Sequence, residues 1–297
     1  MWVRIVSEVV IFILIVVTIK YIFKFMNNKN SKNKSSIEKN VHKALKKDEF
    51  DIYLQPKYNP ESECIVGAEG LARWNNRNND AVSPEVFIPI LERNKDIVKL
   101  DMYMFEEACK IISRWSKNNV KLVPISINIS KITMVENNNF IADLKNIIKK
   151  YNVDTRFLEI ELTERIMFIE TNKIVYIIKE IKKLGMKVSL DDFGAGYSSL
   201  NILKDLPIDI IKLDKVFLDK RDIPESGKIV IKNIINMANE LGLEVVAEGV
   251  EFPEQSQFLK SVGCEVVQGY LYGKPMNIRE FEKLEMFNGN EYIKSIS

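Results

Sequence analysis

Acidic and amide side chains stand where short apolar segments of this 297-residue chain end. Carboxylate and amide oxygens are the ligands that hard divalent cations prefer, and like charges brought together normally require a bound cation. One such residue could simply be a solvated side chain at the end of a strand. Seven segments that end in the same way are better explained by a shared metal site. In chain order, the residues at these ends are Glu69, Asn128, Glu161, Asp191 with Asp192, Lys212 with Asp214, Glu248 and Gln268.

The histidine and cysteine content excludes several other kinds of site. The one histidine, His42, lies in a lysine-rich run, which argues against a Ser-His-Asp triad and against a multi-histidine zinc site. The three cysteines, Cys64, Cys109 and Cys264, lack Cys-x-x-Cys spacing and are typical of buried thiols in a reducing compartment. A metal would therefore be bound through oxygen, which favours magnesium, manganese or calcium.

The composition predicts a folded protein without a general affinity for polyanions. The chain is 46% hydrophobic and 28% charged, which excludes disordered, collagen-like and disulfide-scaffold classes. Its 43 Lys and Arg residues nearly balance 41 Asp and Glu residues, and the formal net charge is +2. No whole-molecule field would attract nucleic acid, so we expect neither a DNA nor an RNA polymer as partner.

The N-terminal segment predicts a membrane anchor. Residues 5–25 are apolar over about the length that a helix needs to cross a bilayer, with Glu8 and Lys20 near the two ends. A cleaved signal peptide is the alternative, but Arg4 is the only basic residue before the segment and no small-x-small cleavage site follows it. Lysines recur after the segment, which by the positive-inside rule predicts a single-pass protein of the inner or plasma membrane whose body is cytoplasmic.

The chain divides into three parts on this reading. We expect an anchor over residues 1–26, a polar Lys/Asn/Ser linker over 27–36 and a single globular body over 37–297. A body of this length is the customary size of one (β/α)8 barrel.

The pattern of the body favours that TIM-like α/β barrel. Helical periodicity over 97–116, 138–149, 173–184 and 229–241 alternates with strand-like segments, and Gly185 and Gly242 stand where helix C-caps are expected. This alternation predicts a parallel sheet covered by helices, with all strand C-termini at one face. The eight predicted strands are 51–56, 65–71, 122–129, 158–162, 187–190, 208–213, 244–247 and 265–267.

Eight short motifs, in this order, resemble the EAL-domain family of cyclic di-GMP phosphodiesterases. The resemblance runs from about residue 37 to 281 and is specific because many motifs occur at coherent separations. No synthase-type Gly-Gly-Asp-Glu-Phe segment is present in the sequence. The motifs are YLQP (53–56), EGLARW (69–74), INIS (127–130), ELTE (161–164), DDFGAGYSSL (191–200), IKLD (211–214), AEGVE (247–251) and QGYLYGKP (268–275).

The resemblance implies that the barrel hydrolyses cyclic di-GMP to linear pGpG with two Mg²⁺ or Mn²⁺ ions. It assigns Asp191 as the bridging ligand and Asp192 as a ligand of the second ion. Glu248 and Lys212 match residues that handle the attacking water, and charge reasoning favours Glu248 as the base. The remaining ligands that it implies are Glu69, Asn128 and Glu161.

Other matched positions surround this centre. The resemblance assigns supporting roles to Glu164, Asp214 and Gln268, with Glu164 holding the loop 191–200, which also forms a homodimer contact in the family. It assigns substrate contacts to Gln55, Leu71, Arg73 and Glu251.

Two departures and two alternatives remain at this stage. The signature alanine is Gly70, expected to loosen the backbone beside Glu69, and the usual threonine after Phe-Gly is Ala195. One alternative is a catalytically inactive receptor for cyclic di-GMP that signals to a membrane partner. The other is a barrel lyase that uses Lys212 as a Schiff base.

Overall fold

The structure is a computed structural model that describes residues 37–38, 40–47, 49–75, 81–164, 166, 171–195, 200–218 and 220–284. The predicted anchor over 1–26 and linker over 27–36 lie outside the described residues. Within the described part of the chain, no helix has the length and apolar character to cross a membrane.

A closed barrel of eight strands forms the centre of the protein, which confirms the predicted α/β barrel. The strand order around the barrel is β1-β9-β8-β7-β6-β5-β4-β2, and pairing of β1 with β2 closes it, while the short β3 extends the outer end of β2. The strands are β1 (Phe50–Asn59), β2 (Cys64–Asn75), β3 (Ala81–Val82), β4 (Ile125–Asn128), β5 (Leu158–Thr163), β6 (Lys187–Phe193), β7 (Ile210–Leu213), β8 (Glu244–Ala247) and β9 (Val266–Gln268).

The prediction that all strands are parallel is wrong for β1. This strand runs antiparallel to both neighbours, with Gln55 opposite Glu69 on β2 and Lys57 opposite Gln268 on β9. The reason is the connection between β1 and β2, which is too short for the crossover of a dozen or more residues that parallel strands need. The Asn59 carboxamide oxygen instead accepts hydrogen bonds from the backbone N–H groups of the following turn.

Helices surround the barrel and follow most of the parallel strands. The four predicted helices are confirmed with small shifts of their ends, whereas the shorter helices were not predicted. The first of the unpredicted helices contains Pro89, a residue that argues against a helix interior. The helices are α1 (Pro84–Arg93), α2 (Ile97–Lys117), α3 (Lys131–Glu136), α4 (Phe140–Tyr151), α5 (Thr171–Lys183), α6 (Asn201–Asp205), α7 (Glu225–Glu240), α8 (Pro253–Ser261) and α9 (Ile278–Phe281).

The two predicted glycine caps end their helices as expected. Gly185 after α5 has φ +90° and Gly242 after α7 has φ +72°, in the left-handed region that glycine enters without steric cost. Their N–H groups bond back to the carbonyls of Lys182 and Asn239. Each helix is thereby terminated directly before the strand that follows it, β6 in one case and β8 in the other.

A buried carboxyl connects α2 to the start of α3. Asp101 Oδ2 accepts hydrogen bonds from the Ser130 backbone N–H at 2.8 Å and from the Thr133 hydroxyl at 2.6 Å. Burial raises the pKa of Asp101 from 3.8 to about 7, against the lowering effect of these two hydrogen bonds. The folded protein therefore binds a proton at Asp101 that the unfolded chain releases near pH 4.

We expect Asp101 to make the free energy of unfolding depend on pH. Because its pKa is raised in the folded state, its contribution falls by up to about 1.4 kcal/mol per pH unit between pH 4 and 7. Asp101→Asn keeps an acceptor and loses this dependence, so the variant should gain stability relative to wild type at pH 8 compared with pH 5. Urea denaturation at both pH values measures this, with the exposed Asp205→Asn as control. An equal difference at both pH values would exclude the buried titration.

Candidate active site at the carboxyl rim of the barrel

The barrel brings the predicted strand-end residues together at one rim. Parallel register places Asn128 beside Glu161, and Thr163 beside Asp191. Glu161 is completely buried, and Glu69 and Gln268 are 6% and 4% exposed. Charged and amide side chains therefore fill the top of the barrel.

Lys212 lies at the centre of this rim. Its Nζ atom is 2.7 Å from Glu161 Oε2, 2.8 Å from Glu248 Oε1 and 2.9 Å from Asp191 Oδ1. A fourth carboxylate oxygen, Oε2 of Glu69, lies 3.5 Å away. The lysine is only 1% exposed, so its ammonium group is shared among carboxylates from four different strands or strand ends.

Amide side chains complete the ring around Glu69. Asn128 Nδ2 donates to Glu69 Oε1 at 2.7 Å, and Gln268 Nε2 donates to Glu69 Oε2 at 2.6 Å. Gln268 Nε2 also lies 3.2 Å from Gln55 Oε1, and Gln55 Nε2 donates to the Gly273 carbonyl. The antiparallel β1 thus contributes Gln55 to a ring that the other strands form with their C-terminal ends.

The carboxylates of the ring are held at an electrostatic cost. Burial raises the pKa of Glu69 to about 7, with the charge of Glu161 adding to the effect. Burial likewise raises the pKa of Glu248 to about 8 and raises the pKa of Asp191, although Lys212 opposes both shifts. These groups lack sufficient positive charge nearby, which is the condition that a bound cation relieves.

The pKa values of Glu161 and Lys212 shift in the direction that favours their charged forms. Burial alone would raise the pKa of Glu161, but Lys212 and Lys57 outweigh it and lower the pKa to about 2. Burial alone would lower the pKa of Lys212, but the charges of Asp191, Glu161 and Glu248 raise it well above its usual value. A lysine held protonated in this way is a poor nucleophile, which argues against the Schiff-base lyase.

The residues present fit divalent cations. Asp191, Asp192 and Glu248 each offer an oxygen, and these oxygens lie within 4.8 Å of one another. Two buried oxygens, Asp191 Oδ1 and Gln268 Oε1, have no hydrogen-bond partner among the described residues, although the first faces the Lys212 charge. A set of carboxylate and amide oxygens is the donor set of magnesium and manganese.

The last residues of β6 and the residues after it include left-handed backbone conformations. Asp192 has φ +58° and Gly194 has φ +98°. A Cβ atom on Gly194 would lie 2.0 Å from the Phe217 ring, so glycine is required here. Gly194 N–H donates to Glu164 Oε1 at 3.3 Å, which places Glu164 beside the segment that it is predicted to hold. Gly196 lies outside the described residues.

Two cavities flank the ring. Leu71 and Arg73 line a cavity of about 300 Å³ between β2, β4 and the helices α1 and α2, with Asn128 at its border. The Arg73 guanidinium is half-buried and lies 5.8 Å from the centre of the Tyr53 ring.

The second cavity lies beyond Glu248. Asp214 and Glu251 line this cavity of about 440 Å³. Both residues form hydrogen bonds with groups close to them in the sequence. Asp214 Oδ1 accepts from Val216 N–H, and Glu251 N–H donates to the Gln255 side chain. Neither bond extends to Lys212, so these two predicted residues belong to the periphery of the site.

Two charged residues of the site were missed at the level of sequence. Lys57 and Glu159 are 4% and 5% exposed, and Lys57 Nζ lies 3.1 Å from Glu159 Oε1. The signal was the two-residue period of a strand, because Lys57 follows Gln55 and Glu159 precedes Glu161 on the same faces. The charges of Glu159 and Glu161 outweigh burial and raise the pKa of Lys57 above its usual value.

The fold and the site define an α/β barrel with an oxygen-rich rim that is suited to divalent cations. The family model of the EAL domain matches residues 38–275. The chain belongs to the EAL-domain family, and the resemblance inferred from the motifs is confirmed.

Known proteins support this assignment. The chain is 34% identical over 235 residues to cyclic di-GMP phosphodiesterase PA2567 of Pseudomonas aeruginosa, covering 78% of this chain and 39% of that protein. It is 33% identical over 249 residues to cyclic di-GMP phosphodiesterase PdeR of Escherichia coli, covering 83% and 37%. The chain thus spans little more than a third of the length of these relatives.

A solved structure of an enzyme–ligand complex shares the fold. The PaMucR phosphodiesterase in complex with c-di-GMP matches with a TM-score of 0.77 at 27% identity, covering 83% of this chain and 99% of that chain. An EAL domain protein from Listeria monocytogenes matches with a TM-score of 0.72 at 32% identity, covering 81% and 94%.

The departure at Gly70 has a packing explanation that differs from the expected loosening of the backbone. Gly70 is paired on both sides, with Leu54 and with Ile127. A Cβ atom at this position would lie 2.5 Å from Ile127 Cδ1 and 3.0 Å from Ile52 Cδ1. The Ile127 side chain therefore occupies the space that an alanine methyl group would need.

We expect Gly70→Ala to destabilise the protein by about 1–3 kcal/mol through overpacking against Ile127. Ile127→Val removes the clashing methyl group, so the double variant should be more stable than the sum of the two single changes predicts. Urea denaturation of the four proteins measures the coupling. Ile52→Val, which removes the more distant methyl group, should reduce the destabilisation caused by Gly70→Ala by a smaller amount. Additive effects of Gly70→Ala and Ile127→Val would contradict the packing explanation.

Proposed function

We propose that this protein is a cyclic di-GMP phosphodiesterase that hydrolyses one phosphodiester bond to give linear pGpG, using two Mg²⁺ or Mn²⁺ ions. The observation that carries the proposal is the ring of oxygen donors around Lys212, to which Glu69, Glu161 and Asp191 contribute directly. Asn128 contacts Glu69, and the exposed Asp192 lies beside Asp191. Family membership and the activity named for PA2567 and PdeR support the choice of substrate.

The ring divides into two groups of proposed ligands. When bound, divalent cations would neutralise the phosphodiester and lower the pKa of water. Asp191 is the proposed shared ligand, with Asp192 beside it as the ligand on one side and the Glu248 carboxylate close to both. Glu69, Asn128 and Glu161 lie on the other.

Glu248 is the proposed proton acceptor. Its side chain is 18% exposed whereas Lys212 is 1% exposed, so Glu248 can reach a water molecule above the rim and Lys212 lies beneath it. Burial raises its pKa to about 8 in the absence of cations, and bound divalent cations would favour the ionised carboxylate that accepts a proton. The Lys212 ammonium stays protonated 2.8 Å away and stabilises the carboxylate and the negative charge of the substrate.

The cavity beside the ring is the proposed position of one guanine base. Leu71 supplies an apolar wall, and the Arg73 guanidinium has the geometry to bind a phosphate oxygen or the acceptor edge of guanine. Gln55, the other proposed substrate contact, borders the ring through its hydrogen bond with Gln268. Asp214 and Glu251 border the cavity at the opposite side, where the second half of an extended dinucleotide would lie.

The test is to incubate the purified full-length chain with cyclic di-GMP and to measure pGpG by chromatography. We expect turnover that a chelator abolishes, that Mg²⁺ or Mn²⁺ restores and that Ca²⁺, with its looser coordination shell, does not support. Binding of cyclic di-GMP without any pGpG would indicate the inactive receptor. Chelator-resistant turnover would exclude the two-metal mechanism.

Glu248→Gln in the same assay tests the assignment of the base. The amide keeps the shape of the side chain but cannot accept the proton, so kcat should fall by about 10²–10⁴-fold with little change in substrate affinity. Glu240→Gln, on the exposed side of α7, is the matched control and should keep wild-type kcat. Full kcat in Glu248→Gln would transfer the role of base to another group.

We also propose that residues 5–25 anchor the enzyme in the inner or plasma membrane with the barrel in the cytoplasm. The lysine-rich linker supports this orientation, and the barrel, closed by the β1–β2 pairing, does not require the anchor for its own strand order. The homodimer through the barrel also stays a prediction.

Deleting residues 1–36 should therefore release the protein from the membrane fraction without loss of turnover, as measured by fractionation and the pGpG assay. A truncated protein that stays with the membrane would contradict the anchor. A C-terminus accessible from outside intact cells would contradict the topology.

A further inference from the structure

A second layer of charge lies inside the barrel directly beneath the ring. Lys57 Nζ on β1 is 3.1 and 3.2 Å from the two carboxylate oxygens of Glu159 and 3.0 Å from Glu161 Oε1. The strands β1 and β5 are not neighbours in the sheet, so the Lys57 side chain crosses the interior of the barrel to make these contacts. All three residues are buried.

Glu161 is consequently held from two sides. Its Oε1 atom is paired with Lys57 at 3.0 Å, and its Oε2 atom is paired with Lys212 at 2.7 Å. Each oxygen has its own ammonium partner in a region of low dielectric constant, where breaking either pair leaves an uncompensated buried charge. The carboxylate is thereby fixed in one orientation and kept ionised.

We infer that Lys57 is a positioning residue that orients the Glu161 carboxylate toward the cation ring, with Glu159 as the counter-charge that holds Lys57 in place. The inference rests on the proposed function, because it requires Glu161 to be a cation ligand. Residues that orient a ligating side chain in this way commonly change metal affinity by about 10–100-fold when they are lost.

A purely structural ion pair is the alternative role for Lys57. In that case Glu159 alone would neutralise the lysine, and the contact with Glu161 would be incidental. The distances favour the positioning role, because Lys57 Nζ lies as close to Glu161 as to Glu159. Lys57 also supplies the contact to Oε1 of Glu161 that complements the Lys212 contact to Oε2.

The experiment removes the lysine without changing the net charge of the interior. Lys57→Met/Glu159→Gln deletes one positive and one negative charge and keeps the side chains close in size, an exchange that buried ion pairs often tolerate. Mn²⁺ is titrated into the full-length, metal-free chain by calorimetry in the absence of substrate. We expect the Kd for Mn²⁺ to rise by about 10–100-fold. The urea unfolding transition of the metal-free protein should stay close to that of wild type.

Glu159→Gln alone is the matched control. It keeps the contact between Lys57 and Glu161, so its Kd for Mn²⁺ should rise by less than about tenfold, the lower end of that range. Excess Mn²⁺ should restore turnover in the double variant, a rescue that a structural defect would not show. If the double variant does not fold, Lys57→Gln/Glu159→Gln replaces it, because this variant keeps hydrogen-bonding groups at both positions. A raised Kd for Mn²⁺ would again support the inference, and a wild-type Kd would again overturn it.

Wild-type affinity for Mn²⁺ in a folded double variant would overturn the inference and leave Lys57 as a structural partner of Glu159. A wild-type chain that binds no Mn²⁺ at all would overturn the proposed function, and this inference with it. The two failures are therefore distinguished by the wild-type titration.

Discussion

The excess of carboxylate over ammonium groups at the top of a closed barrel is the constraint on which the rest of the site depends. Six carboxylates among the described residues, Glu69, Glu159, Glu161, Asp191, Asp192 and Glu248, meet two lysines, Lys57 and Lys212. Four negative charges stay uncompensated when all of these groups are ionised, which equals the charge of two divalent cations. Burial, together with the charges of the neighbouring carboxylates, raises the pKa values of Glu69, Asp191 and Glu248 in the absence of cations.

The architecture accounts for how such a repulsive arrangement is kept in place. The six carboxylates come from four strands or strand ends, so the backbone hydrogen bonds of the barrel hold together side chains that repel one another. The two lysines are distributed by depth, with Lys212 at the level of the ring and Lys57 one layer below. Glu161 contacts both lysines and is the most strongly ionised member of the ring, the protonation state that a cation ligand requires.

The antiparallel β1 has a functional consequence as well as a topological one. Because β1 runs antiparallel to β2, Gln55 lies opposite Glu69 at the rim, and Lys57, two residues further along the chain, lies opposite Gly67 below it. Gln55 then contacts Gln268 in the ring, and Lys57 reaches Glu159 and Glu161 beneath it. A parallel first strand would bring its C-terminal end to the rim and would place different side chains at these levels.

Much of the site could be predicted from the sequence because a single polar residue at the end of an apolar segment is visible without knowledge of the fold. Glu69, Asn128 and Gln268 were recognised in this way and meet within hydrogen-bonding distance. The direction of β1 could not be read from the apolar pattern, which is the same for parallel and antiparallel strands; the short connection held the information. Lys57 escaped notice because a lysine within a strand is ordinarily solvated, and only the closed barrel makes its position interior.

The role of Gly70 was also beyond sequence reasoning. From the sequence, glycine in place of the family alanine suggests a more flexible backbone. In the structure, the Ile127 side chain occupies the space that an alanine methyl group would need. The contact joins β2 and β4, which are far apart in the sequence. Packing of this kind depends on register, which no local pattern specifies. The helix α1 was missed for a related reason, since Pro89 is tolerated there by the surrounding contacts of Phe87, Ile90 and Leu91 in the core.

The most direct test of the central claim is to locate the cations. Crystals of the protein grown with Mn²⁺ would be measured at the manganese absorption edge, and an anomalous difference map would be calculated. The charge balance predicts two peaks inside the ring bounded by Glu69, Asp191 and Glu248. An empty ring, with peaks confined to carboxylates on the outer surface, would contradict the account.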